Sequence, residues 1–241
     1  MYKEAHVWNC FVGCRIFWCT YCKPSFQAQM KRRKPMIDKN GKKRGCQKCY
    51  DYEPHFHEER LTDEYMNKLP TTYGDQFIWV GSSGDISFIK YSDMLKILDR
   101  IKEYPDRTFF FQTKNPKFFS RFTFPPNVIL GITLESNVYY REISNAPSPF
   151  SRFFWFKKLD FPRKFITIEP ILEFNFSFFL ELLREINPER IYVGYDTHKT
   201  WWMEGKERAY LREYEPSLEK TKKLILELER FTKVKTKYMK D

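Results

Sequence analysis

No apolar run in this 241-residue sequence reaches the roughly 18 residues that a membrane-spanning helix needs. The amino terminus carries charges at Lys3 and Glu4, and it lacks the apolar segment of a secretory signal peptide. These two absences predict a cytoplasmic protein with no membrane partner.

Acidic residues are fewer than basic ones, with 31 Asp and Glu against 42 Lys and Arg, and the net charge is +11. A positive field of this size attracts phosphates, which predicts nucleic acid, DNA or RNA, as a partner. A lysine-rich solvated surface would give the same balance, so charge alone favours the two interpretations about equally. Because Lys and Glu are both abundant, the composition also fits a thermophile protein with many surface ion pairs.

Aromatic residues make up 19% of the chain, including 24 Phe, which excludes a disordered chain and predicts a core or groove rich in rings. A chain of this length can form a single large domain. We therefore expect one domain over residues 1–241, with an insertion at about 25–60 and an extension at about 205–241.

Four of the six cysteines lie between His6 and Pro24, and Cys14, Cys19 and Cys22 form a C-x4-C-x2-C array. In a reducing compartment, clustered cysteines are metal or redox ligands more often than disulfides. A loop this short can bend three thiolates towards one metal ion or cluster. The array therefore predicts a metal or iron-sulfur site.

A second group of potential ligands follows at Cys46, Cys49, His55 and His57. A C-x2-C pair can hold one metal ion, and either histidine could complete four-coordinate zinc. Alternatively, Cys46 and Cys49 could hold an auxiliary iron-sulfur cluster together with Cys10. A structural role that holds the insertion in place is favoured at least as strongly as a catalytic one.

The sequence from Asp75 alternates apolar, strand-like runs with helix-like segments. Strands are predicted at 76–80, 108–112, 128–133, 164–168 and 190–194, after a short strand at 4–8. Helices are predicted at 25–34, from a Ser92 cap to before Pro105, from Pro116, from a Ser177 cap to Ile186, and over 217–230. Such alternation is typical of an α/β fold with a parallel sheet covered by helices.

The predicted strands after the first end in polar or glycine residues. These are Ser82, Ser83 and Asp85; Gln112, Thr113 and Lys114; Thr133 and Glu135; Glu169; and Asp196. Ligands bind at the carboxyl ends of strands in barrels and in open α/β sheets. Entry into a loop explains any one polar strand end, but five in succession favour a shared ligand site.

With its cysteines after the first strand and about six strands, the chain resembles the radical S-adenosylmethionine (radical SAM) superfamily. More narrowly, it is similar to a phage- and archaea-associated radical-SAM-like family of largely unknown function, which is distantly similar to spore photoproduct lyase. The matching residues are Trp8-Asn9 with Gly13-Cys14, Cys19-Thr-Tyr-Cys22, Pro54-His-Phe-His57 with Glu59-Arg-Leu61, Val80-Gly-Ser82 with Asp85, Gln112-Thr-Lys-Asn-Pro116, Leu130-Gly131 with Thr133 and Glu135, and Ile168-Glu-Pro170. The resemblance implies a partial (βα)6 TIM-type barrel with a cysteine-containing insertion after the first strand.

The resemblance also implies a [4Fe-4S] cluster held by Cys14, Cys19 and Cys22, with its fourth iron open to S-adenosylmethionine (SAM). One electron from a separate donor would then split SAM into methionine and a 5′-deoxyadenosyl radical. This ligand set is preferred because Tyr21 places an aromatic residue just before the third cysteine, as in the superfamily, where it lies beside the adenine.

The sequence departs from the superfamily pattern in two places. The commonest superfamily spacing is C-x3-C-x2-C, and the first gap here is one residue longer, a variation that the superfamily includes. A second alignment is also open, in which Cys46 and Cys49 supply the last two cluster ligands and residues 15–45 form an insertion. The glycine-rich motif that usually binds the amino group of SAM is represented only by Ser82-Ser-Gly-Asp85.

Roles for the polar strand ends follow from the same resemblance. Ser83 and Asp85 would bind the amino group of SAM, and Lys114 would pair with its carboxylate. Thr133 and Glu135 would bind the ribose hydroxyls.

Further residues would complete the site. Glu169 and Asp196 would face SAM or substrate. Several aromatic residues could stack or relay radicals, although packing is the favoured interpretation; they are Tyr139, Tyr140, Tyr195, Trp201 and Trp202.

The predicted function is a radical SAM enzyme that modifies or repairs DNA or RNA, with its basic arm at 31–44 contacting phosphates. One alternative is a non-enzymatic nucleic-acid-binding protein whose cysteines hold zinc or a cluster. Another is a protein that keeps the fold and binds SAM or a cluster without catalysis.

Overall fold

The computed structural model of the chain describes residues 2–15, 19–22, 36–37, 41, 43–196 and 211–239. Three predictions fall wholly or mostly outside these residues: the helix at 25–34, the basic arm at 31–44, and the roles of Trp201 and Trp202.

Eleven strands occur within the described residues: β1 Ala5–Trp8, β2 Phe11–Val12, β3 Met36–Ile37, β4 Lys43–Arg44, β5 His55–Phe56, β6 Phe77–Val80, β7 Phe109–Thr113, β8 Val128–Thr133, β9 Lys164–Ile168, β10 Arg190–Gly194 and β11 Lys233–Lys237. Seven form one sheet in the order β1-β6-β7-β8-β9-β10-β11. The pairs β1–β6, β6–β7, β8–β9, β9–β10 and β10–β11 are parallel. The pairs β2–β5 and β3–β4 are antiparallel and separate from this sheet.

The central strands are apolar because both of their faces are covered. Every residue of β8, β9 and β10 is buried, which is the continuous pattern of a parallel sheet. The predicted strands agree with the observed ones to within one residue at each end.

In the part of the chain that the structure describes, six α-helices accompany the strands: α1 Gln47–Asp51, α2 Asp63–Met66, α3 Tyr91–Lys102, α4 Pro149–Lys158, α5 Phe176–Ile186 and α6 Leu218–Glu229. Short 3-10 helices span Glu58–Leu61, Ile86–Phe88 and Pro116–Arg121. Ser217 caps α6 within the predicted segment. The predicted Ser92 and Ser177 caps are wrong, because Lys90 and Asn175 occupy the cap positions of α3 and α5. The Asn175 side chain accepts a backbone hydrogen bond, which a good cap requires.

The chain divides into two compact units. The first comprises Met1–Phe17, Cys22–Gln112 and Phe122–Ile129, and the second comprises Trp18–Tyr21, Thr113–Arg121 and Leu130–Asp241. Fully buried side chains in the first unit include Trp8, Phe77 and Phe109, and those in the second include Ile166, Ile191 and Leu224. The assignment of the whole chain to one domain stays a prediction.

The structure confirms an α/β chain with a parallel sheet, and this sheet is compatible with part of a TIM-type barrel. The (βα)6 barrel itself stays a prediction. Within the described part of the chain, no helix is both long enough and apolar enough to cross a membrane.

Candidate metal centre

Four side chains of the first unit converge on one point: Cys46, Cys49, His55 and His57. Cys46 is the cap residue of α1 and Cys49 lies three residues later inside this helix, a spacing that places both thiols on one side. His55 lies in β5, and His57 follows it two residues later, so both imidazoles extend from the same face of an extended segment.

The ligand atoms of these four residues all lie within 4.8 Å of one another. Cys49 Sγ is 3.3 Å from His55 Nε2 and 3.1 Å from His57 Nε2. Cys46 Sγ is 3.5 Å from His55 Nε2, and the two Nε2 atoms are 2.8 Å apart. In a tetrahedral zinc site, bond lengths of about 2.0 to 2.3 Å place ligand atoms about 3.3 to 3.8 Å apart. Two of the four quoted separations, 3.3 and 3.5 Å, lie in this range, and the other two, 3.1 and 2.8 Å, are shorter.

Both imidazoles are oriented by a hydrogen bond at the opposite ring nitrogen. Nδ1 of His55 lies 2.7 Å from the backbone oxygen of Glu53, and Nδ1 of His57 lies 2.6 Å from Oε1 of Glu59. An Nδ1–H donated to these oxygens leaves the lone pair of Nε2 directed at the cysteines, as in many zinc sites. Burial lowers the pKa of both histidines, and the charge of Arg60 lowers it further.

Local backbone packing fixes the position of this cluster. β5 pairs with β2 through Phe11–Phe56 and Val12–His55, and the His57 N–H donates to the Cys10 carbonyl at 2.7 Å. Gly13 has a φ of +100°, and a Cβ atom there would lie 2.2 Å from the Glu53 oxygen. Only glycine allows the two segments to approach so closely.

Cys10 and Cys14 of the cysteine-rich loop contact this region in different ways. Cys14 and Cys46 both pack against the buried cluster of Val12, Cys49 and Tyr52. Cys10 is fully buried, and burial raises the pKa of its thiol. The converging set found within the described residues does not include Cys10, although its carbonyl holds the backbone of that set.

The other two cysteines of the predicted cluster lie in different units. Cys22 belongs to the first unit and is partly exposed, whereas Cys19 belongs to the second. Cys19 is buried, and its Sγ lies 2.9 Å from the Ser144 hydroxyl.

The predicted amino-group site in the first unit is a hydrogen-bonded turn. Asn9 Oδ1 accepts from the Ser83 N–H and the Ser82 hydroxyl, each at 3.1 Å, and its Nδ2 donates to the Ser83 hydroxyl. Asp85 Oδ1 accepts from the Ser87 N–H at 3.0 Å and so caps a 3-10 helix. The loop is ordered by these contacts, which give Asp85 a structural role beside any binding role.

In the second unit, three residues predicted to contact SAM lie together. The Tyr21 hydroxyl donates to Glu135 Oε1, and Lys114 Nζ lies 5.1 Å from the centroid of the Tyr21 ring. Arg152, which sequence reasoning missed, donates through Nη1 to Glu135 Oε2 at 2.5 Å and to the Thr133 carbonyl at 2.7 Å. No local pattern links an arginine in α4 to a strand end 17 residues earlier.

The carboxyl of Glu135 is ionised in this environment. Burial alone would raise its pKa, but the charges of Arg152 and Lys114 and the hydrogen bond from Tyr21 outweigh burial and lower it. A small cavity beside Tyr21, Glu135 and Arg152, with Ser144 also on its wall, holds about one water molecule.

The remaining predicted residues make mainly structural contacts. Glu169 accepts a hydrogen bond from Lys237 Nζ at 2.6 Å. The hydroxyls of Tyr139, Tyr140 and Tyr195 donate to backbone carbonyls at 3.0 to 3.3 Å. These contacts agree with the packing interpretation of the three tyrosines.

The chain matches no known protein-family model and no curated protein.

Proposed function

We propose that this chain is a metalloprotein that binds one zinc ion through Cys46, Cys49, His55 and His57. The convergence of these four donor atoms within 4.8 Å carries the proposal. Two thiolates and two imidazoles suit the tetrahedral preference of zinc, and four protein ligands leave no open position, as is usual in structural sites.

The role of this zinc would be to hold the segment from Cys46 to Leu61 in place. That segment has little regular structure, since it consists of a five-residue helix, a two-residue strand and a 3-10 turn. Structural zinc contributes about 10 to 16 kcal/mol of binding free energy in small peptides, enough to order such a segment.

Metal analysis of the purified protein tests this proposal. We expect one zinc per chain, and cobalt substitution should give the absorption of a tetrahedral site with two sulfur ligands. His57→Gln should abolish stoichiometric binding, whereas His6→Gln, a histidine in β1 outside the cluster, should leave it unchanged. Equal zinc content in both variants would contradict the ligand set.

A second candidate function is a radical SAM enzyme that acts on nucleic acid. It is supported by the parallel sheet and by the convergence of Tyr21, Lys114 and Glu135 beside strand ends. A [4Fe-4S] cluster bound with SAM supplies reductive cleavage of SAM, given an electron donor. Lys114 would hold the SAM carboxylate, and Tyr21 would lie beside the adenine.

The sequence offers two sets of three cysteines for such a cluster. The motif-based set is Cys14, Cys19 and Cys22. The other set joins Cys14 to Cys46 and Cys49, and it is supported by the packing of Cys14 and Cys46 against Val12, Cys49 and Tyr52. Both sets provide three thiolates and leave one iron without a protein ligand.

Anaerobic reconstitution with iron and sulfide, followed by reduction in the presence of SAM, tests this second function. The enzyme should release 5′-deoxyadenosine. Cys14→Ser should abolish it under either ligand set, Cys19→Ser only under the first, and Cys46→Ser only under the second. Full zinc occupancy with no iron and no 5′-deoxyadenosine would leave the zinc protein as the function.

A further inference from the structure

A surface of the second unit combines exposed aromatic rings with lysine side chains. It consists of Lys117 in the 3-10 helix Pro116–Arg121, together with Phe150, Phe154, Trp155 and Lys158 in α4; we call it the aromatic–basic face. The two helices pack against each other. None of the candidate metal ligands belongs to this face, so it does not depend on either metal assignment.

The exposed rings are not explained by the core. α4 buries Phe153 and Phe156 on its inner side, whereas Phe150 is 58% exposed and Phe154 is 47% exposed. Residues four apart on a helix lie side by side, so these two rings form a continuous stripe that continues to Lys158. Contiguous exposed apolar side chains indicate a binding surface, whereas single exposed apolar side chains are common on any protein.

The charge of the same surface has one sign. The residues of α4 and of the neighbouring 3-10 helix include no acidic side chain and four exposed basic ones, Lys117, Arg121, Lys157 and Lys158; the fifth, Arg152, is buried against Glu135. The Nζ atoms of Lys117 and Lys158 lie 5.0 and 5.8 Å from the centroid of the Trp155 ring. Lys157, by contrast, pairs with Glu185 and is partly neutralised.

This combination identifies the chemistry of the partner. Single-stranded nucleic acid offers flat bases that stack on exposed rings and phosphates that pair with lysine. From Phe150 to Lys158 the helix rises by about 12 Å, which is about the length of three stacked nucleotides. A membrane surface would require a wider apolar face than two rings provide, because binding strength scales with the apolar area inserted.

We propose that the aromatic–basic face binds single-stranded nucleic acid, with bases stacked on Phe150 and Phe154 and phosphates contacting Lys117 and Lys158. Duplex bases are stacked on one another and cannot use these rings, so single strands are preferred. For the second candidate function, the aromatic–basic face is the binding site of the nucleic-acid partner. The proposal does not depend on catalysis and applies equally to a zinc protein.

Fluorescence anisotropy with a labelled 20-nucleotide oligo(dT), measured on the full chain at several salt concentrations, tests the proposal. The double variant Phe150→Ala with Phe154→Ala should weaken binding at least about 30-fold, because each of the two lost stacking contacts contributes a factor of at least about five. Phe178→Ala, an exposed phenylalanine of α5 in the same unit, should change affinity less than about twofold.

Charge variants provide a second, independent readout. Lys117→Gln with Lys158→Gln should reduce the slope of log affinity against log salt by about 1.4, since each single-strand phosphate contact contributes about 0.7. Lys222→Gln with Lys233→Gln removes the same charge from exposed positions elsewhere and should not change the slope.

Four outcomes would overturn the proposal. They are no binding of oligo(dT) by the wild-type chain, wild-type affinity in the double phenylalanine variant, equal losses in the control variants, and equally tight binding of polyglutamate or anionic vesicles through the same residues. The last outcome would assign the face to an acidic protein or a membrane. All substituted side chains are exposed, so circular dichroism should show wild-type folding in every variant.

Discussion

Replacing Arg152 with methionine should destabilise the fold by about 3 to 5 kcal/mol, the cost of breaking a buried ion pair from one side. The side chains of Arg152 and Glu135 are only 2% and 5% exposed, so water cannot solvate the carboxylate that is left behind. The guanidinium also donates to the Thr133 and Pro147 carbonyls at 2.7 and 2.6 Å. Methionine fills most of the same volume, so the loss comes chiefly from charge and hydrogen bonding.

Arg163→Met is the matched control, since it removes an arginine that also makes two hydrogen bonds to a glutamate. Arg163 donates through Nε and Nη2 to Glu189 at 3.0 and 3.2 Å, but these side chains are 32% and 36% exposed. Exposed pairs contribute about 0 to 1 kcal/mol. The two substitutions therefore differ in burial more than in chemistry.

Urea unfolding followed by tryptophan fluorescence measures the difference. With an m-value of about 2 to 3 kcal/mol/M, the midpoint of Arg152→Met should fall by about 1 to 2.5 M. Adding Glu135→Met should restore part of the loss, because the uncompensated charge is then removed. The reasoning is refuted if Arg152→Met is no less stable than Arg163→Met, or if the second substitution adds its own full cost.

Three other predictions concern individual side chains. Gly13→Ala should destabilise the zinc segment and weaken zinc binding, since its Cβ would meet a backbone oxygen at 2.2 Å, whereas Gly74, which also has a positive φ (+56°), has open space for a Cβ; equal zinc affinity in Gly13→Ala and Gly74→Ala would contradict this. Glu59→Gln should weaken zinc affinity about 10- to 100-fold in a chelator competition, because the carboxylate that accepts from His57 becomes a neutral amide, while Glu58→Gln, whose partner is an exposed lysine, should not. Matching affinities would argue against the orienting role. Because the pKa of Glu135 is lowered in the folded state, its ionised form contributes stability above about pH 4.3 that is lost as pH falls through the lower folded-state value. Glu135→Gln should remove that slope from an acid titration of stability, and an unchanged slope would exclude this origin.

The strands of the sheet were predictable because the sequence pattern that identifies each strand lies within a few consecutive residues. Each central strand is a short apolar run, so β8, β9 and β10 could be located to the residue. Helix α4 was not predicted, since its consecutive aromatic residues Phe153–Phe156 hide the helical period. Its remaining signals were the Ser148 cap and the proline in its first turn, both of which favour a helix start.

The candidate metal ligands were predictable because they lie close together in the sequence, whereas their surroundings were not. Cys46 and His57 are only 11 residues apart, and the intervening turn returns the chain on itself. Contacts such as Tyr21 with Glu135, 114 residues apart, arise only from the folded sheet. The contact of Glu59 with His57 joins residues only two apart, but the sequence shows Glu59 only as part of a motif and does not indicate that it orients the imidazole.

The two candidate functions compete for Cys46 and Cys49 only if these cysteines, with Cys14, hold the cluster; the set of Cys14, Cys19 and Cys22 shares no thiol with the zinc site. Cys14 belongs to both cluster sets and not to the zinc set, so it distinguishes the two functions. A thiolate of Cys46 or Cys49 that binds zinc is not available to a cluster of which Cys14 is the third ligand. The hydrogen bonds at Nδ1 of His55 and His57 are compatible with zinc, because metal-bound imidazoles almost always donate from the other ring nitrogen. The packing of Cys14 against the buried group of Val12, Cys49 and Tyr52 is compatible with the cluster set that includes Cys14, Cys46 and Cys49. Cys14→Ser should therefore leave zinc binding unchanged in a zinc protein, and it should abolish iron binding in an enzyme.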